Sequence, residues 1–180
     1  MHNSFDTFDV AILAALQADG RLTNQELAER VGLSASQCSR RRSALEERGV
    51  IASYAALLSP AAIGLGIVVF VEVRLATHSP QNSHRFHTLI ERLDEVQEAY
   101  SLTGETDYLI KMVVADLQAL SELLNGVFLP HESVAHVRSS VVLDVLKSST
   151  RLPLGPAKQR MLQHASGPAA APPGKRRRPR

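Results

Sequence analysis

Three consecutive arginines, Arg40–Arg42, stand one turn beyond the start of a predicted helix that opens with small hydrogen-bonding residues. A helix that enters the major groove of DNA contacts base edges with residues near its N-terminus. Arginine pairs with guanine edges or phosphates, glutamine pairs with adenine, and serine hydroxyls at a helix start suit phosphate. The pattern therefore predicts a helix that contacts DNA through Ser34, Ser36, Gln37, Ser39, Arg40, Arg41 and Arg42.

The same helix start has a purely structural interpretation. Ser34 and Gln37 have the spacing of a capping box, in which two residues satisfy each other's backbone amides without any ligand. For these two residues both interpretations remain open. The arginines favour DNA contact, because Glu46 and Glu47 lie at the far end of the helix and leave its first half positive.

Three short helices must position these side chains. Apolar periodicity and capping signals predict helices over residues 7–19, 24–31 and 34–48, each ended by a glycine, followed by a strand over residues 50–58. Cys38 falls on the inner face of the third helix and is predicted to be a small core residue. Two short helices joined by a tight glycine-containing turn form the outline of a helix-turn-helix.

The second half of the chain alternates strand and helix patterns. The order is β-α-β-β-α-β, the ferredoxin-like arrangement, so the fold class is α+β. Both helices would cover one face of the sheet, while the other face carries Val68, Phe70 and either Val141 or Val142. An uncovered apolar face predicts a homodimer. The predicted elements are strand 67–75, helix 82–93, strands 96–103 and 107–114, helix 117–128 and strand 134–145.

The net charge of +2 is misleading about partners. The chain has 20 Lys and Arg against 18 Asp and Glu, but residues 153–180 hold seven of the basic residues and no acidic one. The rest of the chain is therefore acidic overall, and we predict that this Pro-rich tail is disordered. We accordingly predict a helix-turn-helix domain (1–52), a linker strand (53–62), a ferredoxin-like domain (63–152) and the basic tail (153–180).

Several classes of protein are disfavoured by composition. No apolar run approaches the length of a membrane span, and the polar N-terminal residues do not form a signal peptide. A single cysteine suits a reducing compartment, so we expect a cytoplasmic protein. The seven histidines have no convincing set of carboxylate or thiolate neighbours, so we expect no metal, no other cofactor and no enzymatic nucleophile.

Several motifs, in order along residues 6–152, resemble the Lrp/AsnC family of bacterial and archaeal regulators, also called feast/famine regulators. In the first domain these are residues 27–34 (LAERVGLS), Cys38 with Arg40 and Arg41, Leu45-Glu46 and residues 49–51 (GVI). In the second domain they are residues 69–73 (VFVEV), 103–109 (TGETDYL) and 139–143 (SSVVL).

The resemblance implies a winged helix-turn-helix dimer that binds double-stranded DNA. It also implies that the second domain senses an amino acid or a related small effector and assembles dimers into larger rings, often octamers. In the family, small ligands sit at contacts between dimers, near a Gly-x-x-Asp-Tyr hairpin. Carried over residue by residue, the predicted effector site comprises Ser101, Leu102, Thr103, Gly104, Asp107 and Tyr108, with Ser139 and Ser140 as weaker candidates.

Alternatives remain at both sites. From the residue types alone, Gly104 and Asp107 are better explained as turn residues and Tyr108 as a core residue. Arg42 occupies a position where the family usually has an apolar residue, so its stem is expected to pack along the core. Residues 129–133 lack the family's usual glycine. Two other functions stay open: an enzyme like the sirohaem decarboxylases, which share the two-domain layout, and an architectural DNA-binding protein without an effector.

Overall fold

The computed structural model describes residues 6–155 and divides them into two compact units. Residues 6–56 together with 149–155 form the first unit, and residues 57–148 form the second. Residues 149–152 therefore belong by their contacts to the first unit, although the sequence placed them at the end of the ferredoxin-like domain. Most of the predicted disordered tail, residues 156–180, lies outside the described residues.

Three helices build the first unit, each within one residue of the bounds that local sequence signals predict: α1 (Thr7–Ala18), α2 (Asn24–Val31) and α3 (Ala35–Glu47). Each one starts at a capping box, formed by Asp6 and Asp9, Thr23 and Glu26, or Ser34 and Gln37. Gly32 ends α2 with a φ of 74°, a left-handed conformation that glycine adopts without strain. The helices enclose a core that includes Ile12, Leu16, Leu27, Cys38 and Leu45.

We expect Thr23→Ala to lower the free energy of unfolding by about 1 kcal/mol, because it removes the side-chain oxygen that caps α2. In the structure Thr23 Oγ1 accepts the backbone N–H of Glu26 at 3.2 Å, and Glu26 Oε2 accepts the backbone N–H of Thr23 at 2.8 Å. Urea unfolding of the full chain measures the effect. The exposed Gln25→Ala on the same helix is the control, and equal midpoints for the two variants would contradict a capping role.

The prediction of a strand over residues 50–58, and with it of a linker strand over residues 53–62, is wrong. Residues 52–59 have no regular structure, and Ala61–Ile63 form a single 3₁₀ turn. The side-chain pattern is strand-like, but a strand also needs a hydrogen-bonded neighbour. None of the strands in the described part of the chain pairs with this segment.

The second unit has the predicted ferredoxin-like topology. Its four strands form one antiparallel sheet in the order β2-β3-β1-β4. The helix predicted over residues 117–128 continues beyond α5 as one π-helical segment, Leu124–Phe128. The elements are β1 (Ile67–Leu75), α4 (Pro80–Ile90), β2 (Val96–Ser101), β3 (Tyr108–Val114), α5 (Leu117–Leu123) and β4 (Val134–Val141).

The two faces of this sheet differ sharply. On the helix-covered face, alternate residues of β1 and β3 are fully buried against Phe86 and Phe128. On the other face Phe70 remains 37% exposed. Val142 donates its N–H to Val68, whereas Val141 lies opposite the buried Val69, so Val142 is the one of the two valines that continues the open face.

Candidate DNA-reading helix and effector site

The start of α3 contains the predicted capping contacts. Ser34 Oγ accepts the N–H of Gln37 at 3.2 Å, and Gln37 Oε1 accepts the N–H of Ser34 at 3.0 Å. Ser36 Oγ lies 3.1 Å from Ser34 Oγ. Ser34 and Gln37 therefore form the capping box that their spacing predicts, and both residues are exposed. A cap of this kind presents hydroxyls and free amides at the helix start, where an anion is favoured.

The three arginines diverge because successive helical residues are about 100° apart. Arg41 turns toward the start of α1. Its Nη1 lies 2.7 Å from Asp9 Oδ1 and 2.7 Å from Asp6 Oδ2, and its guanidinium lies 5.6 Å from the ring centre of Phe8. The hydrogen bond to Asp9 leads the interactions that raise the pKa of Arg41. This side chain ties α3 to α1.

Arg42 extends toward Leu22 and Tyr54 rather than toward the start of α1. Its Nε lies 3.1 Å from Glu46 Oε1 and donates to Tyr54 Oη at 2.9 Å, and its Nη1 donates to the carbonyl of Leu22 at 3.1 Å. The guanidinium stacks 4.5 Å from the Tyr54 ring centre. The hydrogen bond from Tyr54, followed by that from Arg42, holds the pKa of Glu46 below its ordinary value. Arg42 therefore joins the α1–α2 turn to the segment after α3.

Arg40 alone of the triplet points away from the protein. It is exposed, and no residue in the described part of the chain offers it a hydrogen bond or an ion pair. Ser36 and Ser43 lie four residues before and three residues after it and are also exposed, so the three share one helix face. Sequence reasoning missed Ser43, which helical spacing from Ser36 and Arg40 would have included. Ser39 is half-buried beside this face.

We expect the ion pair between Arg41 and Asp6 to make the first unit sensitive to acid. Partial burial raises the pKa of Asp6, but the Asp9 backbone amide and the Arg41 guanidinium together outweigh it and lower the pKa below its ordinary value. A carboxyl with a lowered pKa stabilises the fold at neutral pH and loses that contribution as the pH falls through its folded pKa. The loss begins below about pH 4, and it is small because Asp6 is half exposed.

Urea unfolding at pH 6 and pH 3 tests this expectation. The difference in unfolding free energy between the wild type and Arg41→Ala should shrink at pH 3, because the stability that ionised Asp6 contributes is partly lost once the pH falls below the ordinary pKa of a carboxyl group. Arg40→Ala is the matched control, since Arg40 has no carboxylate partner within residues 6–155. A difference for Arg41→Ala that is the same at both pH values would contradict the role of the pair.

The predicted effector hairpin joins β2 to β3. Gly104 has a φ of 125°, a conformation that excludes most other residues. Asp107 closes the turn through its carbonyl, which accepts the N–H of Leu102 at 2.8 Å. Its side-chain Oδ2 accepts the N–H of Leu75 at 2.7 Å, and its Oδ1 lies 3.4 Å from His78 Nδ1. One carboxylate oxygen thus stabilises the end of β1, and the other faces an exposed histidine that sequence reasoning missed.

Tyr108 lies in the core of the second unit. The residue is 7% exposed, its ring centre lies 4.8 Å from that of Phe86, and its hydroxyl lies 3.0 Å from His87 Nε2. Tyr108 is therefore a core residue, as its residue type and position suggested. The preceding Ser101, Leu102 and Thr103 are exposed.

The two candidate serines on β4 face opposite sides of the sheet. Ser140 pairs with Phe70 on the open face, whereas Ser139 pairs with Val71 on the helix-covered face. Ser139 lines a cavity of about 250 Å³ beside α5, whose polar wall also includes Ser121 and Asn125. Sequence reasoning missed these two, because polar residues on a helix usually face solvent. The apolar wall consists of Leu117, Leu120, Leu124, Leu129 and Val137.

One chain does not bring all the predicted effector residues together. The strand order puts β4 at one edge of the sheet and the β2–β3 hairpin at the other, with β1 between β3 and β4. Within residues 6–155 no group of three or more His, Cys, Asp or Glu side chains is arranged to hold a metal ion. In the same range, no helix combines the length and the apolar character that crossing a bilayer requires.

Comparison with known proteins matches both units. Residues 5–52 match a winged helix-turn-helix DNA-binding family, and residues 68–152 match the Lrp/AsnC ligand binding domain. The leucine-responsive regulatory protein of Escherichia coli strain K12 is 40% identical over 147 residues, which cover 82% of this chain and 90% of that protein.

Solved structures agree with these matches. A transcriptional regulator from Neisseria meningitidis, crystallised as a complex with L-Met, superposes with a TM-score of 0.82 at 41% identity, covering 84% of this chain and 98% of that one. An AsnC family transcriptional regulator from Agrobacterium tumefaciens gives a TM-score of 0.79 at 36% identity, covering 83% and 97%. Two units of this kind, one a helix-turn-helix and the other a ligand-binding domain, define a class of transcriptional regulator. The chain belongs to the Lrp/AsnC family.

Proposed function

We propose that this chain is a sequence-specific DNA-binding transcriptional regulator whose DNA affinity or assembly responds to an amino acid or a related small effector. DNA binding is supported above all by the exposed face of α3, where Arg40 lies between Ser36 and Ser43 and has no partner in the described chain. Double-stranded DNA is then its macromolecular partner. We expect it to act in the cytoplasm and to catalyse no reaction.

We propose that α3 enters the major groove with its N-terminal half. Ser36, Gln37, Ser39 and Arg40 would reach base edges or nearby phosphates, and Ser34 would add a phosphate contact beside the helix start. Arg41 and Arg42, which the sequence also indicated as contacts, are better suited to holding α3 in place. Releasing Arg41 would leave Asp6 and Asp9 without their cation, which costs free energy that a phosphate contact must first recover.

We propose that the open sheet face forms a homodimer. Phe70 is 37% exposed there, next to the half-buried Val68 and Val142, and a two-fold axis would bury both copies of this apolar surface. A homodimer would carry two α3 helices, which would enter major grooves about one helical turn apart. We also propose that these dimers assemble into a higher oligomer such as an octamer.

We propose that the effector is recognised by the hairpin and the β4 cavity of two different copies, since one chain holds them at opposite sheet edges. Asp107 Oδ1 would accept the ammonium group, and backbone amides near Gly104 or the hydroxyl of Ser139 would bind the carboxylate. The leucine-lined cavity would accept an apolar side chain. The L-Met complex of the Neisseria meningitidis regulator supports an amino acid as ligand.

Selection from a random pool of DNA duplexes, followed by binding titrations with each standard amino acid, tests this proposal. The full chain should enrich a defined sequence, and at least one amino acid should change its affinity or its mass in light scattering. Failure to enrich any sequence would overturn the regulatory function. Enrichment without a response to any amino acid would support the architectural alternative, and a visible absorbance change with added sirohaem would support the enzyme alternative.

A further inference from the structure

The chain crosses between its two units twice. It leaves the first unit after Ala56, forms the second unit, and returns at Ser149 to pack on the first unit. Residues 142–148 directly connect the end of β4 to this returning segment. We call residues 149–154 the return strap. Two of its residues, Arg151 and Leu152, form hydrogen bonds with α1, the helix whose Asp9 also pairs with Arg41 of α3.

The strap is bound by a pair of reciprocal hydrogen bonds. The N–H of Leu152 donates to Gln17 Oε1 at 2.6 Å, and Gln17 Nε2 donates to the carbonyl of Leu152 at 3.2 Å. In extended backbone the N–H and C=O of one residue point the same way, so a single side-chain amide can pair with both. Pro153 favours that conformation at Leu152, which lowers the entropy lost on docking.

Two further contacts fit the end of α1. Helix α1 has no basic residue in its last turn, where a cation would complement the helix dipole. Arg151 supplies one from the strap, with its Nη2 3.5 Å from the carbonyl of Ala18. Leu154 is half-buried and packs against the core that contains Leu13 and Leu16. The strap is therefore held by hydrogen bonds from Leu152 and Arg151 to the end of α1 and by packing of Leu154 on the core of the first unit.

We propose that the return strap is a functional part of the DNA-reading unit: it docks on the C-terminal turn of α1 and stabilises the helix-turn-helix from the end of the ligand-binding domain. Its regulatory meaning rests on the proposed function, because β4 carries the candidate effector residues Ser139 and Ser140 immediately before the connecting segment. The docking itself is independent of DNA and effector, so it can be tested when neither is known.

Amide hydrogen exchange of the full chain, without DNA or amino acids, tests the clamp. Gln17→Ala removes both hydrogen bonds to Leu152 and should speed exchange of the Leu152 amide about tenfold. Alanine is the better helix former, so this variant retains α1. The exposed Gln25→Ala on α2 is the matched control and should leave the strap unchanged. Exchange of the wild-type strap at the rate of an unstructured peptide, or equal rates in both variants, would overturn the proposal.

Two truncations test what the strap does for the helix. Deletion of residues 149–180 should speed exchange in the last turn of α1, whereas deletion of residues 156–180 should leave it unchanged. A change in both truncations would assign the effect to residues 156–180 and overturn the role of the strap. No change in either would show that docking does not stabilise α1. Both outcomes are independent of sequence selection and amino-acid binding, so they do not depend on the regulatory function.

Discussion

Arg40→Ala is expected to weaken binding to the DNA sequence selected by this protein by about 1–3 kcal/mol and to relax preference at one base pair. Arg40 is exposed, and no carboxylate in the described chain competes for it. Its guanidinium can therefore form a bidentate contact with a guanine edge without first breaking a contact within the protein. Fluorescence anisotropy with the selected duplex, and with duplexes altered at single positions, measures both effects.

Arg41→Ala provides the sharpest comparison. It removes the same charge from the neighbouring residue, but Arg41 is paired with Asp6 and Asp9 in the free protein. We expect this variant to lose stability while keeping the slope of binding against salt, because a residue that contacts no phosphate releases no counterion. Arg92→Ala in the second unit controls for overall charge. A loss of affinity and of base preference as large in Arg41→Ala as in Arg40→Ala would contradict the division of roles.

Asp107→Asn is expected to abolish the response to the amino-acid effector while the protein still binds its DNA. In the wild type the N–H of Leu75 lies 2.7 Å from Asp107 Oδ2, and asparagine keeps an oxygen that can accept this hydrogen bond. It loses the negative charge that would pair with an ammonium group. Calorimetric titration with the amino acid that alters DNA binding measures the loss. Glu105→Gln removes a charge from the same turn and is the matched control.

Asp107→Ala separates binding from folding. It removes the Leu75 contact as well, and we expect it to lower the unfolding free energy of the second unit by about 1–3 kcal/mol. Comparable destabilisation by Asp107→Asn and Asp107→Ala would assign the carboxylate a purely structural role. Full effector response in Asp107→Asn would contradict its proposed contact with the ligand.

Sequence patterns predicted the elements that depend on local interactions. The capping boxes at Thr23 and Ser34 join residues three apart, and the apolar periods that define β1 lie within one element. The same local signals missed the break in the helix predicted over residues 117–128, because the apolar period continues unchanged through the π-helical segment Leu124–Phe128.

The direction of each arginine depends on partners distant in sequence. Arg41 meets Asp9 from 32 residues away, and Asp107 meets Leu75 from the same separation. A run of three arginines gives no sign of which one is held by a carboxylate on another helix. The return strap is the extreme case, since Gln17 and Leu152 are 135 residues apart and neither residue type is distinctive.

Side-chain Nε–Hε spectra of the full chain, recorded with and without the selected duplex, test the division of roles within the arginine triplet. Assignment by single Arg→Lys substitutions identifies the resonances of Arg40, Arg41 and Arg42. We expect the Arg40 resonance to shift on DNA binding while those of Arg41 and Arg42 stay near their free positions. A shift of Arg41 or Arg42 as large as that of Arg40 would contradict this division.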